Sequence, residues 1–333
     1  MDRPSVKQEK GLGQPVGIAL GWNALEARER WARLGLALTF LGLCIVLSLL
    51  SPRFLTPGNL MNVVRQTSVN GIIAVGMTMV ILTGGIDLSV GSVLAFTGVV
   101  AASLVTGGQP PVLAMVSALL LGSLLGIWNG VAIAYLRIPP FIATLGMMTI
   151  TRGLALSYTQ GRPITGFPES FRWLGAGWVG PLPAPVLLMA LVFGLGGALL
   201  SYTVFGEHLR AIGSNPTAAR AAGIPTHRYL VLTYGWSGFL AALAGLILIG
   251  RLDSAPPTLG LGYEFDAIAA VVIGGTPLTG GEGWLGGTLI GALIIGVLNN
   301  GINLLNIPSF YEQVFKGGVI AAALLLHRAL RRE

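Results

Sequence analysis

The sequence predicts an all-α polytopic membrane protein with about ten transmembrane helices (eight to ten), N- and C-termini cytoplasmic, interrupted helices, and short cytoplasmic helices between spans. Three observations carry this prediction. Of 333 residues, 53% are hydrophobic and only 10% charged, where a soluble domain carries roughly 25% charged residues. The apolar residues are gathered into blocks near the roughly 20 residues needed to cross a bilayer. Lys and Arg are unequally shared between the two sides that alternating spans define. The 49 glycines suit helices that approach closely in lipid. The formal net charge of +7 does not point to nucleic acid, because the basic residues sit between apolar blocks, where they act as topology signals. Cys44 is the single cysteine, so no internal disulfide forms.

In chain order, residues 1–33 are polar and read as a cytoplasmic tail, partly disordered. They are not expected to be a secretory signal, since the first apolar block starts near Leu34 and is too long for a cleaved segment. Spans are expected at 34–50, 67–83, 88–106, 111–135, 141–159, 184–204, 229–249, 265–275, 284–305 and 313–327, followed by a cytoplasmic tail at 328–333. The transmembrane domain is therefore 34–327, with its main inner loop at 205–228. The breaks "SPRFLTPGN", "TGGQPP", "LRIPP", "GPLPAP" and "NIPS" are Pro/Gly punctuation that cannot continue a helix. The eighth segment is too short to cross alone, so eight spans remain open if two segments are re-entrant. With the N-terminus inside, thirteen basic residues lie inside: Arg3, Lys7, Lys10, Arg28, Arg30, Arg33, Arg137, Arg210, Arg220, Arg228, Arg328, Arg331 and Arg332. Five lie outside: Arg53, Arg65, Arg162, Arg172 and Arg251. That excess sets both termini inside.

Two segments are unlike simple spans. "LTGGIDLSVG" and "VVIGGTPLTGGEGWLGG" each place a Gly pair after an apolar run, then a short polar turn, then another apolar run. Gly84-Gly85 matches Gly274-Gly275, and Leu88-Ser89 matches Leu278-Thr279, as a weak internal repeat. Paired Gly-interrupted segments in two halves of a transporter point to its translocation region; tight turns between packed helices are the plainer reading. Asp87 is expected at the cytoplasmic end of these spans, forming a turn with Ser89 and capping the next helix at its positive end. Substrate contact is the lesser reading. Asn129, Asn299, Asn300 and Asn303 are amides within spans, suited either to interhelical hydrogen bonds or to lining a polar conduit. Asn299 and Asn303 share a face at i, i+4. Arg152 is expected to snorkel outward. The outer loop "GRPITGFPESFRW" offers Arg162, Glu169 and Arg172 either for docking a partner or as part of an aromatic belt.

The inner loop "FGEHLRAIGSNPTAARAAGIPTHR" carries its own helix signals. Asn215 is an N-cap and Pro216 suits the first helical position. "TAARAA" has high helix propensity. Gly223 suits C′, and Pro225 prevents continuation. "GEHLRAIG" reads as a second short helix. No metal cluster or nucleophile–base set can be built: His208, His227 and His327 have no ligand spacing. The chain has no G-x-x-x-x-G-K-[ST] phosphate loop, and none of Lys7, Lys10 or Lys316 lies in such a context.

Four stretches in order, "GMTMVILTGGIDLSVGSVLAFTG" (76–98), "PPFIATLGMMTITRGLALSYTQGRPI" (139–164), "AIGSNPTAARAAGI" (211–224) and "FDAIAAVVIGGTPLTGGEGWLGGTLIGALIIGVLNNGINLL" (265–305), resemble one family. The chain resembles, from about residue 40 to 327, the permease subunit of bacterial ATP-binding-cassette importers for simple sugars. The resemblance implies translocation of a monosaccharide across the bacterial inner membrane. It also implies a second permease copy, a cytoplasmic ATPase that uses ATP and Mg while this chain binds no cofactor, and a periplasmic sugar-binding protein. It makes 211–224 the loop that couples to the ATPase, with Arg210, Gly213, Ser214, Asn215, Pro216, Thr217, Ala218, Ala219, Arg220 and Gly223 as the coupling residues. Family members commonly carry an acid where this chain has Thr217, so no ionic contact is implied from that position. The competing readings are an ion-coupled secondary transporter using Asp87, Glu264 or Asp266, which has no need of "GSNPTAARAAG", and a channel, for which the sequence offers no repeated selectivity motif.

Overall fold

The computed structural model describes residues 34–308 together with 311, 314, 317 and 318. The expected tails, 1–33 and 328–333, and most of the expected span 313–327 lie outside the described residues. The chain builds α1 (Leu34–Leu50), then α2 (Pro57–Leu82), α3 (Val90–Thr106), α4 (Pro111–Ala134), α5 (Pro140–Thr159), α6 (Glu169–Ala176), α7 (Ala184–Tyr202), α8 (Val204–Ser214), α9 (Pro216–Ala221), α10 (Thr226–Leu252), α11 (Tyr263–Ile273) and α12 (Leu285–Leu304). Two short ladders in the loops accompany the helices of the expected all-α fold. β1 (Ile164–Thr165) pairs antiparallel with β4 (Ser254–Ala255), and β2 (Trp178–Val179) with β3 (Leu182–Pro183). These two-residue ladders satisfy backbone groups in loops too short and proline-rich to be helical.

Four described helices, α4, α7, α10 and α12, are long and apolar enough to cross a membrane. This is a helical membrane protein. Proline opens α2, α4 and α5 at the first helical position, where its missing N–H costs nothing. That explains a boundary the apolar run misplaces. α2 begins at Pro57 rather than near 67, because its polar first turns are helical and find partners. Asn59 and Asn300 exchange amide hydrogen bonds of 3.0 and 2.8 Å between α2 and α12. From Thr67 to Leu82, α2 is buried on every side, so it runs through the interior rather than along its edge.

The tightest seam joins α4 and α10. Gly122, Gly126 and Gly130 recur every fourth residue on α4 and face the α10 backbone. A Cβ on Gly122 would stand 2.5 Å from the Gly238 carbonyl, and one on Gly130 would stand 2.6 Å from Val231 Cα. Gly238 in turn faces Gly122. Small residues at this spacing let backbones touch in lipid, where dispersion replaces the hydrophobic effect as the force between helices. The opposite face of α4 exposes Leu120, Leu124 and Trp128. At one end of the bundle lie α8 and α9. At the other, α6 lies on the end of α10, where Phe167 and Phe171 cluster with Leu246 and Ile249.

Candidate functional site

Both Gly-interrupted segments end a helix by the same device. In the first, Gly84 adopts φ +77°, its N–H reaches Ile81 O (2.8 Å), and the Gly85 N–H reaches Val80 O (3.2 Å). In the second, Gly275 adopts φ +93°, its N–H reaches Val272 O (2.9 Å), and the Thr276 N–H reaches Val271 O (3.1 Å). Each is a Schellman stop, with a glycine in the left-handed region that other residues avoid. The repeat is therefore real in geometry but one residue out of the expected register. Gly84 corresponds to Gly275, not Gly274, because the left-handed glycine is the first of one pair and the second of the other.

Asp87 needs a larger correction. It is buried at 1% exposure and does not sit at the end of the bundle. After Gly85 the chain turns back, and the Asp87 carboxylate accepts from Ser237 Oγ at 2.8 Å. Ser237 lies well inside the 27-residue α10, about 16 Å from its start at 1.5 Å per residue. The other carboxylate oxygen accepts from the Ser89 N–H (3.0 Å) and Ser89 Oγ (2.6 Å). Asn129 of α4 donates to Ser89 Oγ at 2.9 Å. Ser89 is the N-cap of α3, so an acidic side chain sits where that helix presents unpaired N–H groups. The buried carboxyl group is thus held by three hydrogen bonds at a helix end, as burial of a polar group requires. α11 begins nearby. A Cβ on Gly91 of α3 would strike the Gly260 carbonyl and the Glu264 carboxylate, and Glu264 and Asp266 occupy the first turn of α11. Two short helices therefore direct acid-decorated N-termini toward one interior region. Asn70 of α2 donates to Asp266 at 3.2 Å. Arg152 does not snorkel outward; its guanidinium donates to the Pro257 (2.7 Å) and Leu259 (2.9 Å) carbonyls of the loop leading there.

At the α8–α9 end the two interrupted segments meet. The Gly281 N–H donates to Leu82 O at 3.0 Å, so the second segment satisfies an orphan carbonyl at the end of α2. Gly213 of α8 lies against both: a Cβ there would meet Leu82 O and Gly281 N. A Cβ on Gly281 would stand 2.5 Å from Ser214 Oγ. α8 itself buries Leu209 and Ile212, and its His208 ring meets the Tyr229 ring of α10 at 4.8 Å. Arg210 bonds Glu207 (2.8 Å) and the Leu200 carbonyl (3.1 Å). Asn215 then caps α9, its Oδ1 accepting from the Thr217 and Ala218 N–H groups at 3.0 Å each. Gly223, at φ +83°, closes α9 with a third Schellman stop: its N–H reaches Arg220 O and the Ile224 N–H reaches Ala219 O, each at 3.0 Å. Ser214, Asn215, Pro216, Thr217, Ala218, Arg220 and Gly223 are exposed, while Ala219 is buried.

The remaining predicted residues separate. Asn129 joins the Asp87 network. Asn300 belongs to the pair with Asn59. Asn299 is buried with its Oδ1 unpaired among the described residues, whereas Asn303 is exposed near the end of α12, so the two do not share one environment. Arg162 and Glu169 are exposed. Arg172 pairs with Asp253 at 3.5 Å, and Asp253 also accepts the Phe167 N–H at 2.9 Å, which ties α6 to the end of α10. Sequence reasoning missed Ser237, Asn59, Asn70 and the Thr78–Thr288 pair at 2.9 Å. Single polar residues recurring inside apolar runs were the available signal.

Broken helices with polar turns inside a helical membrane bundle, joined at one end to a pair of short helices of which α9 is exposed, define a transport-type membrane subunit. Residues 59–324 match the family described as the branched-chain amino acid transport system permease component, and the chain belongs to that family. It is similar to the ribose import permease protein RbsC of Escherichia coli K12, 50% identical over 293 residues, which cover 87% of this chain and 91% of that protein. The Bacillus subtilis 168 ribose import permease protein RbsC is also 50% identical, over 294 residues (87% and 91%). The L-arabinose ABC transporter permease protein AraH of Azospirillum brasilense is 38% identical over 301 residues (90% and 89%).

Proposed function

We propose that this chain is the membrane-spanning subunit of an ATP-binding-cassette importer that moves a monosaccharide, with ribose the first candidate. The carrying observation is the 50% identity with ribose import permeases over 87% of the chain. In this reading about ten spans cross the bacterial cytoplasmic membrane with both termini inside, and two permease copies enclose the path. A periplasmic binding protein delivers sugar to the α6 end, where Arg162 and Glu169 are exposed. A separate cytoplasmic ATPase hydrolyses ATP with Mg and presses on α8 and α9. Gly213 carries that displacement to Leu82 and Gly281, the ends of both interrupted segments, and from there toward Asp87, Ser89 and Asn129. The contacts of Gly213, Leu82 and Gly281 support this route.

The test is to pull the tagged chain gently from its native membranes, assay for a co-purifying ATPase, and measure uptake of labelled ribose. Replacing 213–223 with a flexible linker is expected to abolish both ATPase association and uptake while insertion survives. Uptake that persists after the replacement, or that runs on an ion gradient without ATP, would overturn the reading in favour of a secondary transporter.

A further inference from the structure

A cavity of about 300 Å³ opens at the corner between the end of α4, α9 and the start of α10, lined by Tyr135, Arg220, Gly223, Ile224, Pro225, Thr226, His227 and Arg228. Three features of its wall bear on what it holds. Arg220, His227 and Arg228 are the polar side chains able to carry charge, and no acid joins them, so the chemistry favours an anion. The Tyr135 and His227 rings lie 5.1 Å apart, tilted by 54°, giving the cavity an aromatic side. Tyr135 is also more than half exposed and follows Leu120, Leu124 and Trp128, all at 60% exposure or more, along the apolar outward face of α4. Little of α4 is covered: 22% of its apolar window is buried. An exposed apolar helix face of this kind suits the acyl chains of a bilayer. Trp and Tyr toward the end of such a stripe are where headgroups begin.

We infer that this corner binds the phosphate of an anionic phospholipid, with the headgroup in the cavity among Arg228, His227 and Arg220 and the acyl chains along the Leu120–Leu124–Trp128 face. Basic pockets beside membrane helices hold lipid headgroups through this combination of charge and adjacent apolar surface. A free phosphate shares the headgroup chemistry but gains nothing from the α4 face. An acidic segment of a protein partner would use the arginines without Tyr135. The bound lipid would brace α9 against the first turn of α10. This inference rests on the cavity and the exposed α4 face, not on which sugar is carried.

The experiment uses the full chain in nanodiscs of phosphatidylcholine alone, or of phosphatidylcholine and phosphatidylglycerol in equal parts. Native mass spectrometry reads retained lipid and thermal melting reads stability. The wild type is expected to retain phosphatidylglycerol and melt higher in the mixed discs. Arg228→Gln is expected to weaken retention about fivefold, in line with the contribution of one basic side chain near an anionic surface. His227→Gln combined with it weakens retention further, and Arg228→Lys restores most of it. Equal melting of the wild type in both discs overturns the proposal, as does undiminished retention by the double variant. If inorganic phosphate in phosphatidylcholine discs gives the same protection, the occupant is a soluble anion and the lipid assignment fails. If Arg228→Gln loses ATPase association while phosphatidylglycerol retention is unchanged, the corner is a protein interface and the assignment also fails. None of these outcomes touches the sugar-uptake test.

Discussion

The turn at 83–89 and the turn at 274–284 begin alike and end differently. Each stops its helix with a left-handed glycine and the same pair of backbone hydrogen bonds. Beyond that point the first turns inward. Asp87 binds Ser237 and Ser89, and Asn129 extends the network to α4. The second carries Leu278 where the corrected register aligns Asp87, and its tie is made by backbone: Gly281 to Leu82, with Gly213 and Ser214 of α8 packed against it. One turn is anchored in the interior by side-chain chemistry. The other is a close-fitting joint between three chain segments, shaped by what glycine leaves out. Side-chain anchoring and backbone packing are thus divided between two copies of one helix-stopping motif.

Asp87→Ala tests this division with the largest expected effect. It strands the Ser89 N–H and takes the acceptor from two buried hydroxyls, at about 1–3 kcal/mol for each group left unpaired. A marked fall in melting temperature or in accumulated protein is expected. Leu278→Ala at the aligned position removes only part-buried apolar contact and should cost less. If the two variants melt alike, the first turn is not the anchor. Asp87→Asn keeps an acceptor and should recover most of the stability.

Gly213→Ala comes next. Its methyl group must displace the Leu82 carbonyl or Gly281, and overpacking of this kind costs about 1–3 kcal/mol. The chain should still insert, while uptake falls steeply relative to ATP turnover. Gly197→Ala, where nothing lies within 4 Å, is the matched control and should leave uptake unchanged. Equal uptake by both variants would mean that the joint transmits nothing. A smaller effect attaches to the shared device itself. Gly84→Ala and Gly275→Ala each force an L-residue into the left-handed region, at about 1–2 kcal/mol. Gly84→Ala should be the more damaging, since its Cβ also meets Thr279 O at 3.3 Å while Gly275 faces open space. Melting curves of the pair read that difference.

How far these features were legible in the sequence depends on the range of the interaction behind them. Helix stops and caps are local, so Pro111, Pro140, Asn215 and Gly223 announce them. The α9 helix could be read from six residues and their flanks for that reason. The turn at Gly84 was equally plain. The depth of Asp87 was not, because it depends on a chain reversal that brings it opposite Ser237, and Ser237 is one hydroxyl in an otherwise ordinary apolar run. The polar start of α2 was hidden because hydropathy counts Asn59 as a loop residue, whereas Asn300 makes it a helical one. The register of the repeat was misread by one because "GG" does not say which glycine takes the positive φ. The pairing of Arg172 with Asp253 was not legible, because the two lie far apart along the chain.

The smallest predicted effect sharpens the comparison most at the α9 end. Asn215→Ala removes the acceptor for the Thr217 and Ala218 N–H groups, at about 1 kcal/mol, with a range of roughly 0.5–2. α9 has only six residues, too few to hold itself once uncapped, so fraying should stay local. Amide exchange should quicken at 217–221 and stay unchanged at 80–89, since Gly213 and Leu82 lie on the other side of the cap. Asn215→Asp or Asn215→Ser should restore the protection, because either side chain supplies the same acceptor. If α9 frays and uptake is undiminished, then the exposed helix is dispensable and α8 alone engages the joint. If uptake falls with α9 while the interior stays protected, coupling runs through a preformed helix whose order is set by one amide.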